Sequence, residues 1–391
     1  MVGSRSRRKR LIVIGSGIVL LLLLAFVAAG LWLKHRAQEV PDHFPRPEPA
    51  FDARRAPWPP KFGVNANMVA EARDPALLRR QFDAIAAAGL GWVRIGATWP
   101  WIQPQEDGPY DWSLLDEPIA AAARAGLDVA PVIQFTPKWA SNLPGSDRAL
   151  AKDPADSDRF VVALVRRYGP GGSFWKAHPE LRARPVRVWE LWNEENAQHF
   201  FAAMSGRTFG YQAVLMSRAI RAVDPRARLV LGGLVGTFES AGDRVAVDRF
   251  LRDMLDAQPS LTRLLDAIGL HVYGDAANVG RIACRTRALL DQIGFRRQAL
   301  VLNEFGSLSQ GPGSLPERER GALLASVVAG FADDRACGGG ADVRMVSPYT
   351  WWTPDVESGN LREFWGIAET DGRLKPSGRA YAEAVRRVGG R

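Results

Sequence analysis

Beyond residue 60 the chain alternates short apolar runs with longer amphipathic stretches. Short apolar runs rich in β-branched residues read as buried parallel strands, and the stretches between them as helices on one face of a sheet. The pattern predicts strands at 62–65, 92–95, 129–133, 186–192, 228–231, 267–271, 299–303 and 343–350. Helices fall between them at about 74–89, 113–126, 156–168, 209–223, 245–256, 280–293 and 317–332, with a last one after Pro376. The punctuation agrees with this reading. Asp74 caps the first helix, Pro75 occupies its first position and Gly89 ends it. Ala88-Gly89-Leu90 and Ala125-Gly126-Leu127 echo each other, as successive βα units would. Eight such units in residues 61–391 predict an α/β protein, a (β/α)8 TIM barrel, with surplus length in the loops 136–156 and 351–375. A doubly wound open sheet is the alternative, but no Gly-rich phosphate fingerprint follows strand one.

The amino-terminal pattern is different. Leu11–Leu33 is an uncharged, mostly apolar run that would span about 35 Å as a helix, enough to cross a bilayer. Arg5, Arg7, Arg8, Lys9 and Arg10 precede it, and only Lys34 and Arg36 follow closely. The expected order is a cytoplasmic basic tail (1–10), a single-pass signal anchor (11–33) and a domain outside the cytoplasmic membrane, periplasmic or extracellular. The rival is a cleaved signal peptide cut near Val27-Ala28-Ala29, which would release a secreted domain. The net charge of +9 is concentrated here. Residues 37–391 carry only +2, so the basic balance gives no support for nucleic-acid binding.

Residues 34–60 form a Pro-rich linker, with Pro41, Pro45, Pro47, Pro49, Pro57, Pro59 and Pro60. Such a segment is neither helix nor central strand. It is expected as an extended spacer, or else as a strap along the domain surface, an option that Phe51 and Trp58 leave open. Cys284 falls inside a helix and Cys337 in a loop beyond the next one. An exported domain permits a disulfide, but this placement weighs against a bridge, and neither cysteine has metal-ligand neighbours.

Two apolar runs end alike. Trp189-Glu190-Leu191-Trp192-Asn193-Glu194 closes strand four, and Leu300-Val301-Leu302-Asn303-Glu304-Phe305-Gly306 closes strand seven. Carboxylates at the carboxyl ends of barrel strands stand where such folds carry chemistry. A pair of them from two strands is what glycosidic bond cleavage needs. Strand alternation puts Glu190, Trp192 and Glu194 on one face, the barrel interior. A buried Glu190 needs a partner, and Arg94 on strand two is the candidate for a structural ion pair. Glu195 is expected as a solvated loop residue.

These two segments resemble the clan A glycoside hydrolases, most closely family 39 and the cellulase-like family 5. Residues 189–194 are similar to the family's Trp-Glu-x-Trp-Asn-Glu segment, and the resemblance covers roughly residues 61–391. It implies an acid/base role for Glu194, a nucleophile role for Glu304 and a hydrogen bond from Asn193 to the sugar 2-hydroxyl. Glu195 stands where the family has Pro, and Asn303 where it has a small or hydroxyl residue. The loops match no substrate-defining pattern.

Retaining cleavage needs one carboxyl protonated and one ionised. Strand six offers His271 and Tyr273 on one face. Tyr273 is the expected donor to Glu304, and His271 is either a packed barrel residue or a substrate contact. Trp99, Trp101, Trp139, Trp192, Trp351, Trp352 and Trp365 cluster at one end of the expected barrel, where an indole can stack on a pyranose. Trp99, Trp139 and Trp352 are the expected platforms. The sequence thus predicts a membrane-tethered retaining glycosidase acting on a polysaccharide, without cofactor or metal. Polysaccharide synthesis or export proteins are its candidate partners. A transglycosylase using the same residues, or a non-catalytic glycan-binding component of an export system, is the alternative.

Overall fold

The structure is a computed structural model that describes residues 22–41, 43–49, 54–333, 337–338, 340–354 and 364–389. Eight parallel strands run in chain order around one sheet: β1 Val64–Asn65, β2 Trp92–Thr98, β3 Asp128–Gln134, β4 Val188–Leu191, β5 Arg228–Val235, β6 Ala267–Tyr273, β7 Ala299–Gly306 and β8 Val343–Val346. The last strand returns to the first, because Gly63 N–H donates to the Val346 carbonyl and Val346 N–H to the Lys61 carbonyl. This closes the barrel and leaves no free sheet edge there.

One long helix follows each strand: α1 Pro75–Ala87, α2 Ser113–Ala125, α3 Pro154–Tyr168, α4 Gly206–Val223, α5 Val247–Ala257, α6 Ala276–Ile293, α7 Glu317–Ala332 and α8 Pro376–Gly389. Local chemistry sets their ends. The Asp74 carboxylate accepts from Ala76 N–H and Leu77 N–H, with Pro75 in the first turn. Gly126 closes α2 at φ +77°, where a side chain would be strained.

Two apolar layers follow from strand alternation. Trp92, Ala130, Val188, Val230, Ala267, Ala299, Val301 and Met345 fill the barrel's floor from inside. Trp189, Leu191, Leu229, Leu231 and Leu302 point outward and pack under the helices. Polar interior positions are therefore confined to the layer above the floor.

Three expectations are corrected. The described residues of 37–60 (37–41, 43–49 and 54–60) do not stand away from the domain as an extended spacer. They follow the alternative, a strap along the flank of the barrel beside α4. Asn142 Nδ2 donates to the Arg36 and Glu39 carbonyls, Tyr211 Oη to the His43 carbonyl, Arg218 Nη1 to the Arg46 carbonyl and Arg228 Nε to the Ala56 carbonyl. A proline-rich extended backbone has no internal hydrogen bonds. Its carbonyls are free to accept from the barrel's side chains, and the strap follows. Second, Cys284 and Cys337 are bonded. Cys337, beyond α7, lies against α6, a placement that element order alone does not reveal.

The third concerns Trp192. Strand alternation stops at Leu191, and Trp192 takes φ +76°. Its ring turns out of the barrel to pack edge-on against Phe201 and Phe209. At the amino terminus, residues 22–38 are helical and Leu22, Leu23, Leu24, Phe26, Val27, Leu31, Trp32 and Leu33 are exposed. Residues 11–21 of the expected span lie outside the described residues. Among the described residues no helix is long and apolar enough to cross a membrane.

Candidate active site

The polar layer above the floor is organised by Arg94 on β2. It is fully buried and spreads its guanidinium across three strands. Nε and Nη2 donate to Glu190 on β4 at 2.8 and 2.5 Å, Nη1 to Glu304 on β7 at 2.8 Å, and Nη2 also to Asn193 Oδ1 at 2.7 Å. Burial alone would pull the guanidinium down. The charge and hydrogen bonds of Glu190, then the charge of Glu304, outweigh it and hold Arg94 above its ordinary value. Arg94 is therefore a fixed cation, and the planar fork fits two carboxylates at once.

Glu304 reaches this layer through a local irregularity. The β6–β7 register slips between Leu270 and His271, so that His271 pairs with Glu304 and Asn303 is left over. An extra residue re-aims the side chains beside it. Asn303 and Glu304, though adjacent, both reach polar partners of the interior layer. Asn303 Nδ2 donates to Glu190 at 2.8 Å. Glu304 accepts from Arg94 on one oxygen and from Tyr273 Oη at 2.6 Å on the other. Burial, then the charges of Glu304 and Glu194, push the Tyr273 phenol well up, so it stays a donor.

Glu194 stands on the loop after β4 at φ +47°. A bulky residue in that region is strained, and such strain gathers at functional sites. Its N–H donates to the Gly233 carbonyl at 3.2 Å, which ties the loop to β5. Its carboxylate meets His271 Nδ1 at 2.8 Å, and the same nitrogen lies 3.4 Å from Glu304. One ring atom thus bridges both carboxylates. Room for the imidazole comes from Gly233, where a Cβ would sit 1.8 Å from His271 Nε2.

One ligand atom from each of Glu194, His271 and Glu304 lies within 4.8 Å of the others, a spacing that could also suit a cation. Both Glu304 oxygens are already engaged, however, one by the Arg94 cation and one by a hydroxyl. The set is better matched to proton transfer between paired carboxyls than to a divalent ion's shell.

Above these groups opens a cleft of about 500 Å³. Glu194, Glu304, Asn193 and Tyr273 lie at its base, with Phe135, Phe200, Trp101, Tyr349 and Trp365 on its walls. Trp101 is 49% exposed, and Trp365 meets Tyr273 and Tyr349 edge-on. Arg148 lies 4.1 Å over the Phe135 ring at the rim.

The structure brings Glu194, Glu304, Asn193, His271 and Tyr273 together, with Arg94 and Glu190 beneath them. It does not bring the three expected platforms. Trp99 is buried and stacked on Phe160, Trp139 donates to the Gln103 carbonyl, and Trp352 is buried with its indole N–H on Thr370. Among the described residues, the cleft's indoles are instead Trp101 and Trp365. Trp101 lies two residues from Trp99, and Trp365 in the same β8–α8 loop as Trp352, but only the loop path decides which ring faces the cleft. Phe135, Phe200, Tyr349 and Arg148 were missed; each follows a strand end, the one signal available.

Glu195 is a further correction. It is fully buried, and apart from its own backbone N–H neither carboxylate oxygen has a hydrogen-bond partner among the described residues. After the turn at Glu194 the chain points inward, and Glu195 fits against Gly232, where a Cβ would lie 2.3 Å from its Oε2. Burial, then the charges of Glu190 and Glu194, hold its carboxyl well above the ordinary range.

By sequence, no family model and no curated protein matches the chain. Solved structures do. A family 39 glycoside hydrolase from Bacteroides cellulosilyticus superposes with TM-score 0.62 at 17% identity, over 84% of this chain and 64% of that one. The chain thus spans less than two thirds of that enzyme's length. A subfamily 18 member of glycoside hydrolase family 5 from Streptomyces cattleya, in complex with GlcNAc, gives 0.63 at 20%, over 86% and 81%. A β-xylosidase from Caulobacter crescentus gives 0.57 at 18%, over 85% and 70%. At this identity the likeness establishes architecture, and the chain has the (β/α)8 barrel fold seen in these clan A glycoside hydrolases.

Proposed function

We propose that the protein is a retaining glycoside hydrolase that cleaves an O-glycosidic bond of a polysaccharide by double displacement. The observation that carries this reading is the spacing of Glu194 and Glu304, whose nearest carboxylate oxygens lie within 4.8 Å at the base of an open cleft. Retaining glycosidases hold their carboxyls about 5–5.5 Å apart, whereas inverting enzymes leave room for an intervening water.

The environments divide the roles. Glu304 accepts from Arg94 on one oxygen and from Tyr273 on the other, which fixes its position, and it suits the nucleophile. Glu194 has the more exposed carboxylate and, among the described residues, one side-chain partner, His271, and suits the group that exchanges a proton with leaving group and water. In the first step a Glu304 oxygen bonds to the anomeric carbon, the glycosidic C–O bond breaks, and the Glu194 proton goes to the departing oxygen. In the second, Glu194 takes a proton from water, whose oxygen displaces Glu304. Asn193, fixed by Arg94, presents an amide to the sugar beside the reacting carbon.

The solved structures of similar fold include a glucosidase, β-xylosidases and an exo-β-1,4-mannosidase, which supports the bond class rather than one sugar. The disulfide supports an oxidising compartment outside the cytoplasm. With the apolar run 11–33 it suggests an enzyme tethered to the cytoplasmic membrane from outside, working on polymer made or exported by the same cell beside synthesis or export proteins. A reducing-end screen of purified polysaccharides, wild type against Glu194→Gln, tests the activity. Equal release by both would overturn the assignment.

A further inference from the structure

We propose that the amino-terminal helix enters a lipid bilayer and that its docking site sets the catalytic mouth, and not the barrel floor, at the membrane surface. The inference rests on the tethering reading above and adds the orientation of the domain.

The strap has a direction. Its first docked residue is Ala37, 2% exposed, beside Arg36 and Glu39, whose carbonyls accept from Asn142. Asn142 belongs to the β3–α3 loop, which also carries the cleft residues Phe135 and Arg148. The next contact, from Thr208 Oγ1 to the Gln38 carbonyl, is in the first turn of α4, again on the mouth side. From there the strap passes Tyr211 and Arg218 down the helix. It ends at the floor, where Arg55 pairs with Asp266, Ala56 N–H donates to the Arg226 carbonyl and Arg228 lies over Trp58. Helix α4 has 18 residues, so the two ends of the strap differ in height by about 27 Å.

Among the described residues, the part of the helix before the docked end, residues 22–33, has its large apolar side chains exposed rather than packed on the domain. Leu22, Leu23, Leu24, Phe26, Val27, Leu31, Trp32 and Leu33 are all exposed, and they cover every side of the helix rather than one stripe. A helix apolar all round suits lipid rather than a groove. The uncharged run begins at Leu11 after five cations, and Trp32, Lys34 and Arg36 stand at its other end, an interfacial aromatic followed by cations. Leu33, the last residue of the run, is four residues before Ala37, or about 6 Å along a helix. A leaflet's headgroup layer is roughly 5–8 Å deep. The mouth-side loop that binds Arg36 and Glu39 therefore touches the membrane surface, and the substrate is a glycan within reach of that surface.

The native cysteines are both bonded, so a single added cysteine can carry a probe. The full chain is reconstituted in phosphatidylcholine–phosphatidylglycerol vesicles containing a headgroup quencher. A fluorophore is placed at Lys138→Cys on the mouth-side loop or at Arg182→Cys on the floor. The expected result is co-flotation with vesicles and quenching at 138 several-fold stronger than at 182. A flexible twelve-residue insert between Leu33 and Lys34 should abolish that difference while leaving glycan hydrolysis unchanged. Co-flotation with equal quenching, or stronger quenching at 182, overturns the orientation. No co-flotation, or a dimer held through residues 22–38 in place of lipid binding, overturns the tether beneath it. Neither outcome bears on the glycosidase reading, which the polysaccharide screen tests separately.

Discussion

Arg94 donates to Glu304 at 2.8 Å while its other nitrogens hold Glu190. The ion pair expected to be structural thus also grips the proposed nucleophile. Replacing Arg94 by Lys keeps the charge but loses the fork. A misplacement of about 1 Å at the reacting centre can lower rate roughly 10²-fold, and we expect a fall in kcat of that order with little change in KM. Arg94→Met should in addition unfold at lower temperature, because removing one partner of a buried pair costs about 3–5 kcal/mol. Steady-state kinetics and thermal melts separate the two effects.

Tyr273 Oη donates to Glu304 at 2.6 Å. A hydrogen bond to a charged group is worth about 1.5–3 kcal/mol, which corresponds to roughly 10- to 100-fold in rate. Tyr273→Phe should lower kcat within that range. The same loss should appear in kcat/KM, while KM for substrate changes little, because the bond is made to the reacting carboxylate. An unchanged kcat would mean that the Tyr273 hydrogen bond to Glu304 does not contribute to turnover.

Glu195 predicts a pH dependence of stability. Its carboxyl is held well above the ordinary range by burial and by the charges of Glu190 and Glu194. Below about pH 4, near the ordinary glutamate value, folded and unfolded chains both hold this proton. As pH rises the unfolded chain releases it first, so this group's share of stability falls until the folded value is passed. Glu195→Gln cannot titrate. Its melting temperature relative to wild type should therefore increase from pH 4 to pH 8. A constant difference across that range would contradict the neutral buried carboxyl.

The tryptophans divide by what they touch. Trp101→Ala and Trp365→Ala should raise KM for a polymeric substrate several-fold with small effects on melting, because these rings line the cleft. Trp99→Ala should lower stability by about 3–5 kcal/mol through the cavity it leaves, since Trp99 is buried against Phe160. The reverse assignment of effects would restore Trp99 as a platform.

Much of the barrel was legible because helix and strand periods differ and because caps such as Asp74 and stops such as Gly126 act locally. The resemblance and strand ends pointed to Glu194 and Glu304, and strand alternation to Tyr273. Alternation misled wherever the backbone left the extended region. Trp192 at φ +76° turned outward, and the residue after Glu194 turned in, so that Glu195 is buried instead of solvated. The register slip at Asn303 likewise has no local signature. The platforms, the strap and the disulfide depend on loop paths over long sequence separations, which composition and period do not encode.

Trapping the intermediate tests the central claim most directly. Wild-type protein is incubated with a panel of activated 2-deoxy-2-fluoro glycosides, and intact and peptide mass spectra are recorded. The account predicts an adduct of one glycosyl unit on the peptide carrying Glu304, and none with Glu304→Gln. An adduct on any other residue, or turnover that releases product of inverted anomeric configuration, would contradict it.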